Sequence, residues 1–406
     1  MTPIVSAQVS PTANELPFKV LVIIELASVL AGPQVGQFFA ELGATVLKIE
    51  HAAQGGDVTR SWKTSAEPAD TDVSAYFSSS NWGKQSLALD LTTAEGRAAI
   101  HALAARADVV LASYKPGDAE KLCVDYETLA NLNPQLIYGH ITGYGPEVHR
   151  AGYDAVLQAE AGFMHLNALP GQAPLKMPVA MVDLLTAHQL KEGLLTALYR
   201  RARTGQGALV QVSLLDSALA SLANQGTGWL VTGHDPQPMG SGHPSIVPYG
   251  TVYQAADGRK LVLAIGSDRQ FQQLCAALGR PLWATDLRFA TNSARVTYRN
   301  ELEELLQKRI GEVNGAELLL ALEQRAVPAG AVRTVGEALT AKSAQHMLIP
   351  PCAAFPYSGL RTVAFRSNAW PVMPALSAPP HIGQQSAAVL NQGDEGHPQL
   401  KNDVFS

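Results

Sequence analysis

One carboxylate stands in the middle of an apolar run, Met177-Pro-Val-Ala-Met-Val-Asp183-Leu-Leu-Thr-Ala-His188. A bare charge among such neighbours is costly, so Asp183 needs an explanation. Val179 to Val182 read as a short buried strand, and Leu184, Leu185, Leu190, Leu194, Leu195 and Leu198 then keep a helical spacing. This places Asp183 at a strand-to-helix junction. There, free backbone N–H groups and the positive end of the helix dipole can hold a desolvated carboxylate ionised. Two readings stay open at this point: a plain helix N-cap, or a nucleophile aimed at a ligand.

The elements around it suggest what positions such a group. Val20 to Leu26 reads as a buried strand, and Ala31-Gly-Pro33 punctuates the chain before the helical pattern Val35, Phe38, Phe39, Leu42. Gly43 closes that helix and Ala44 to Glu50 forms the next strand, which completes a βαβ unit. Further strands are expected at Ser86–Asp90, Asp108–Ala112, Leu136–Ile141 and Leu209–Ser213, with helices at Thr93–Ala105, Tyr126–Asn131 and Leu214–Gln225 between or after them. Such alternation predicts an α/β protein with a parallel-rich, Rossmann-like sheet covered on both faces. The first strand is followed by Ala-Ser-Val-Leu-Ala-Gly-Pro rather than G-x-G-x-x-G, which disfavours a nicotinamide cofactor.

At 406 residues the chain exceeds one ordinary core. Residues 1–15 read as a flexible tail, 16–225 as the first part of a large domain, and 226–249, rich in Gly, Pro and His, as a linker. Residues 250–332 read as a small α+β domain, and 333–406 as a segment returning to complete the large one. A formal charge of -5 without long basic runs argues against nucleic acid or anionic membrane as partners. Cys123, Cys275 and Cys352 are scattered, with neither metal-ligand nor disulfide spacing, which fits a reducing cytoplasm. No apolar run is long enough to cross a bilayer and Met1 to Glu15 has no signal-peptide pattern.

An ordered set of short segments resembles the class III coenzyme A transferases. It comprises Ala31-Gly-Pro33, Leu42 to Glu50, Gly55-Gly-Asp-Val-Thr-Arg60, Asn81 to Asp90, Tyr114-Lys-Pro-Gly117, Ile141-Thr-Gly-Tyr-Gly145, Gly152-Tyr-Asp154, Val182-Asp183, Gly205-Gln-Gly207 and Val327-Pro-Ala-Gly330. Met239 to Tyr249, with Asp268 to Phe271, is most similar to the branch that uses succinyl-CoA and small dicarboxylates. The resemblance implies an interlocked homodimer and acyl-CoA as substrate, with no tightly bound cofactor and no metal. It also implies that Asp183 attacks the acyl-CoA thioester, giving an aspartyl anhydride and then an enzyme–CoA thioester. Contacts to CoA are implied at Leu30, Ala31, His51, Leu89, Asp90, Thr92, Ser113, Tyr114, Lys115, Lys121, Ala151, Tyr153 and Asp154. Family members often carry a polar residue where Leu30 stands and a basic one where Ala151 stands. Gly240 and Gly242, with His243, fall on a glycine-containing loop that closes over the nucleophile, and His243, Tyr249 and Arg60 are candidates for the far carboxylate of a dicarboxylic substrate.

Two rivals share the scaffold. A 2-methylacyl-CoA racemase needs a histidine where Tyr153 stands, and a tyrosine near pKa ~10 shuttles protons poorly at neutral pH beside a histidine near ~6.5. A noncatalytic acyl-CoA binding protein would have no use for Asp183. The acceptor acid is open in the sequence, and Asp154 reads equally as a second functional carboxylate or as a cap of the helix that follows it.

Overall fold

In the computed structural model, residues 15–370 and 375–390 are described; the expected N-terminal tail lies outside them apart from Glu15. The described residues divide into two compact units, one formed by those up to 161, 178–223 and those from 346 on, the other by 162–177 and 224–345.

The first unit is built on six parallel strands in the order β3-β2-β1-β4-β5-β6. The strands are β1 (Val22–Leu26), β2 (Thr45–Glu50), β3 (Gln85–Ala88), β4 (Val109–Ala112), β5 (Ile137–Thr142) and β6 (Ala208–Ser213). Their continuous apolar runs follow from burial on both faces; all four residues of β4, for instance, are buried. The connecting helices are α1 (Ala31–Glu41), α2 (Ala94–Ala104), α3 (Tyr126–Leu132), α4 (Asp154–Glu160), α5 (Met181–Thr204), α6 (Leu214–Ala220) and α7 (Ala223–Thr232), the last already in the second unit. Local chemistry sets their ends. Thr93 Oγ1 accepts the Gly96 N–H at the start of α2, and Gly205, at φ 71°, terminates α5.

The second unit holds an antiparallel sheet of β7 (Tyr249–Gln254), β8 (Lys260–Ala264) and β9 (Ala329–Ala331). Helices α8 (Asp268–Ala277), α9 (Asn292–Thr297), α10 (Arg299–Ile310) and α11 (Gly315–Gln324) belong to it, and its core gathers Tyr253, Leu261, Leu263, Phe271, Leu274, Leu302, Leu306 and Leu322. A last helix, α12 (Ser386–Leu390), lies against β3 in the first unit.

Three sequence expectations are corrected. Val179–Val182 is not a strand: β6 already occupies the edge of the sheet beside β5, Val179 is exposed, and the helix begins at Met181. Residues 226–232 are helical within α7 rather than linker; Gly226 and Gly228 weaken a helix by about 1 kcal/mol each relative to Ala but do not forbid it. Residues 162–177 and 333–345 group with the second unit, where the Gly240 N–H donates to the Ala168 carbonyl. Among the described residues, no helix is long and apolar enough to cross a membrane.

Candidate active site

Because all six strands are parallel, the loops that follow them emerge on one side of the sheet. The strand order reverses between β1 and β4, and the crevice at such a switch point is where open α/β sheets bind ligands. A cavity of about 210 Å³ lies there, walled by the loop after β1 (Ser28 to Gly32), the loop after β4 (Ser113 to Pro116), the end of β5 (Ile141 to Gly143), the segment Arg150 to Asp154, Asp183 and Leu214.

Asp183 is the third residue of α5 and is 8% exposed. It is not the N-cap. That position is Ala180, which offers no side-chain acceptor, and the second N–H of the helix, from Val182, donates at 2.8 Å to Asp154 Oδ1. Asp154, the first residue of α4, therefore caps a helix 28 residues further along, and Gln158 Nε2 donates to its other oxygen at 2.8 Å. This frees the Asp183 carboxylate from the helix end. Burial pushes Asp183 up, the neighbouring Asp154 charge adds to that, and the carboxyl moves from 3.8 to about 7. Among the described residues, no hydrogen bond or cation offsets either cause. The helix start does not outweigh desolvation, contrary to the expectation that it would keep this group ionised. A buried carboxyl poised near neutrality beside a cavity can act as a nucleophile or as a proton acceptor.

Nine of the implied site residues meet at the cavity: Leu30, Ala31, Ser113, Tyr114, Lys115, Ala151, Tyr153, Asp154 and Asp183. Leu30 is the N-cap residue of α1 and has no side-chain cap bond, and Ser113 Oγ accepts the Ser28 N–H at 3.3 Å. Gly143 and Gly152 pass back to back; a Cβ on Gly143 would stand 2.6 Å from the Gly152 Cα, so both must be glycine for Tyr153 and Asp154 to reach the wall. His51, Leu89, Asp90, Thr92 and Lys121 do not line the cavity. Of these, His51 Nε2 lies 3.4 Å from Asp90 Oδ1, Thr92 bonds the same oxygen through its N–H at 2.9 Å, and Lys121 pairs with Asp118 at 2.8 Å on open surface.

Arg60 does not fit the role of a carboxylate binder. Its guanidinium is already bonded to Glu50 through two contacts of 2.8 and 2.6 Å, and to the Asp72 and Pro380 carbonyls, with Phe77 stacked 3.7 Å from it. Gly240, Gly242, His243 and Tyr249 belong to the second unit. There the His243 N–H donates to the Tyr249 carbonyl at 3.1 Å, the two rings are 5.3 Å apart, and Arg299 donates to the His243 carbonyl at 2.8 Å. Arg150 was not singled out from the sequence, yet it lines the cavity beside Ala151 and brings a cation to that part of the wall. Its pairing with Glu160 and its stacking on Tyr144, 4.6 Å away, have no local sequence signature. Among the described residues, no cluster of His, Cys, Asp and Glu could hold a metal ion.

The model of CoA-transferase family III matches residues 19–386. The chain belongs to that family. It is a CoA-transferase, and acyl-CoA is its substrate rather than a resident cofactor. A succinate–glutarate CoA-transferase of Agrobacterium fabrum is 41% identical over 321 residues, covering 78% of this chain and 80% of that one. A succinyl-CoA:mesaconate CoA-transferase of Haloarcula hispanica is 35% identical over 323 residues, again 78% of this chain and 80% of the other. The crystal structure of a CAIB/BAIF family protein from Brucella suis superposes with a TM-score of 0.82 at 38% identity, covering 94% of this CoA-transferase and all of that chain.

Proposed function

We propose that this CoA-transferase moves CoA from succinyl-CoA to a small dicarboxylate such as glutarate or mesaconate, by covalent catalysis on Asp183. The observation that carries the reading is a buried carboxyl at the wall of the switch-point cavity, without an ion-pair partner among the described residues and pushed up to about 7. The Asp183 carboxylate attacks the thioester carbonyl, the C–S bond breaks, and CoA leaves as thiolate with an aspartyl anhydride left behind. The thiolate then attacks the Asp183 carbonyl, releasing succinate and forming an enzyme thioester. The acceptor carboxylate repeats these two steps in reverse. Exchange of a thioester between carboxylates is close to energy-neutral, so the requirement is a positioned nucleophile and exclusion of water from the anhydride. Val29, Leu30, Ala31, Ile141 and Leu214 supply the apolar part of the wall towards the second need. Lys115 and Arg150 at the cavity supply positive charge for the phosphates of CoA, while His51 and Lys121 are assigned to the outer part of the same ligand. Tyr249 and His243 are assigned to the far carboxylate, and the glycine-containing loop to shielding the intermediates. The succinyl donor and the dicarboxylate acceptors are supported by the names of the relatives above. An interlocked homodimer in the cytoplasm completes the proposal.

Incubation with succinyl-CoA and a panel of free acids, with mass spectrometry of the thioesters formed, tests the substrate assignment; glutaryl-CoA or mesaconyl-CoA is the expected product. Hydroxylamine trapping under the same conditions is expected to mark Asp183, and Asp183→Ala to lose at least 1000-fold in turnover. Full turnover by that variant would remove the covalent mechanism, and deuterium uptake at the α-carbon without transfer would favour racemisation instead.

A further inference from the structure

The motif Gly55-Gly-Asp-Val-Thr-Arg60 contributes no residue to the cavity wall, yet it touches the wall from behind. Val29 lines the cavity with φ 71°. For a β-branched side chain that conformation is a genuine outlier, and it persists only where the surroundings over-determine it. What over-determines it is a buried ion pair. The Val29 N–H points at both carboxylate oxygens of Asp57, at 3.4 and 3.3 Å. Asp57 Oδ2 is 3.0 Å from Lys48 Nζ, and the same ammonium donates to the Ala27 carbonyl at 2.9 Å and to Glu25 Oε1 at 3.0 Å. One charge pair thus grips the turn at both ends, Ala27 through its carbonyl and Val29 through its N–H. Lys48 and Asp57 side chains are each 1% exposed. Thr59 further fixes the Asp57 carboxylate through its N–H at 3.0 Å and its hydroxyl at 2.8 Å. Burial pushes Asp57 up, but the Lys48 charge and the Thr59 bonds outweigh it and hold the carboxyl below its ordinary value. It is therefore charged, and a charged acceptor makes the stronger bond to an N–H.

We propose that Asp57 and Lys48 are positioning residues for acyl-CoA: they lock Val29 in its left-handed conformation and so present the backbone of Leu30, Ala31 and Gly32 to the cavity that holds Asp183. The inference rests on the reading of that cavity as the acyl-CoA site. Neither side chain reaches the cavity itself; each acts through the turn. A role confined to folding would make affinity and stability fall together. Positioning separates them, because glycine adopts positive φ without help.

The test is calorimetric titration of the full-length enzyme with CoA, alongside melting temperatures. Asp57→Asn is expected to weaken CoA at least tenfold and to lower the melting temperature. Adding Val29→Gly to it is expected to recover half or more of the lost affinity, on a logarithmic scale, while the melting temperature stays low. Val29→Pro removes both the N–H and the positive φ in a partly exposed loop. It is expected to weaken CoA at least tenfold when titrated well below its own, lowered, melting temperature, and it decides the matter alone if Asp57→Asn does not fold. Wild-type affinity in Val29→Pro overturns the proposal. So does a double variant that recovers nothing, or one that recovers affinity and stability together. Asp183→Ala separates this from the site reading: full turnover by that variant removes the site reading and leaves the loop measurement, which is one of binding, to stand on its own.

Discussion

With a folded value of about 7 against 3.8 for the ordinary carboxyl, Asp183 takes up a proton when the chain folds at intermediate pH. A raised value contributes stability that is present at low pH and lost as pH rises through the folded value. At about 1.4 kcal/mol per pH unit the gap amounts to about 4 kcal/mol at most, most of it caused by burial. Asp183→Asn is therefore expected to melt higher than the wild type at pH 8 and nearly the same at pH 4, as scanning calorimetry would read. The reaction has the opposite sign. A nucleophile must be ionised, so kcat/KM for succinyl-CoA is expected to fall tenfold per pH unit below about 7 and to level off above it. Asp154→Asn keeps an oxygen for the Val182 N–H but removes the neighbouring charge. The inflection of that profile is expected to move to lower pH by less than one unit, because burial, the larger cause, stays. Asp154→Ala orphans the Val182 N–H and is expected to cost about 1–2 kcal/mol in urea unfolding.

At the scale of elements, α1 and the return segment depend on each other. Glu41, buried at the end of α1, accepts the Thr362 N–H at 2.6 Å, its hydroxyl at 2.9 Å and the Val363 N–H at 3.3 Å. Gln37, one turn earlier on the same helix, donates to the Leu360 carbonyl at 3.2 Å. Glu41→Ala would leave two backbone donors without partners, at about 1–3 kcal/mol each. The segment 348–370 is expected to become the first site of cleavage in limited proteolysis, while wild-type protein stays intact under the same conditions. A pattern that misled the sequence reading belongs to this scale too. Val179 to Val182 has the composition of a strand, but short apolar runs do not distinguish a strand from the first turn of a helix. Here Asp154, remote in sequence, supplies the cap that starts α5 at Met181.

For the molecule as a whole, groups of opposite sign bracket the pH of greatest stability. Burial pushes Glu50 and Asp57 up, yet Arg60 and Lys48 outweigh it and hold both below their ordinary values of 4.5 and 3.8. Depressed values contribute stability that is present above those values and lost as pH falls beneath them. Asp183 acts in the other direction through about 7. Urea midpoints are therefore expected to be highest near pH 4, to fall below it on the acid side, to decline from there to about pH 7 and level off above, and to lose part of the acid limb in Asp57→Asn. A midpoint that climbs steadily from pH 4 to 9 would contradict this balance.

The elements of the parallel sheet were legible because their signals are local: continuous apolar runs for buried strands, Thr93 at the start of a helix and Gly43 after the end of another. Family membership was legible in the order of its motifs, several of which mark glycines and charges that this fold buries. What only the tertiary structure decided are relations between residues far apart in the chain. The capping of α5 by Asp154, the saturation of Arg60 by Glu50, Asp72 and Pro380, the appearance of Arg150 in the wall, and the grip of Lys48 and Asp57 on Val29 are all of this kind. The physical reason is that burial and pairing, which set the charge state of a side chain and the direction it faces, are fixed by what packs against it rather than by its neighbours in sequence.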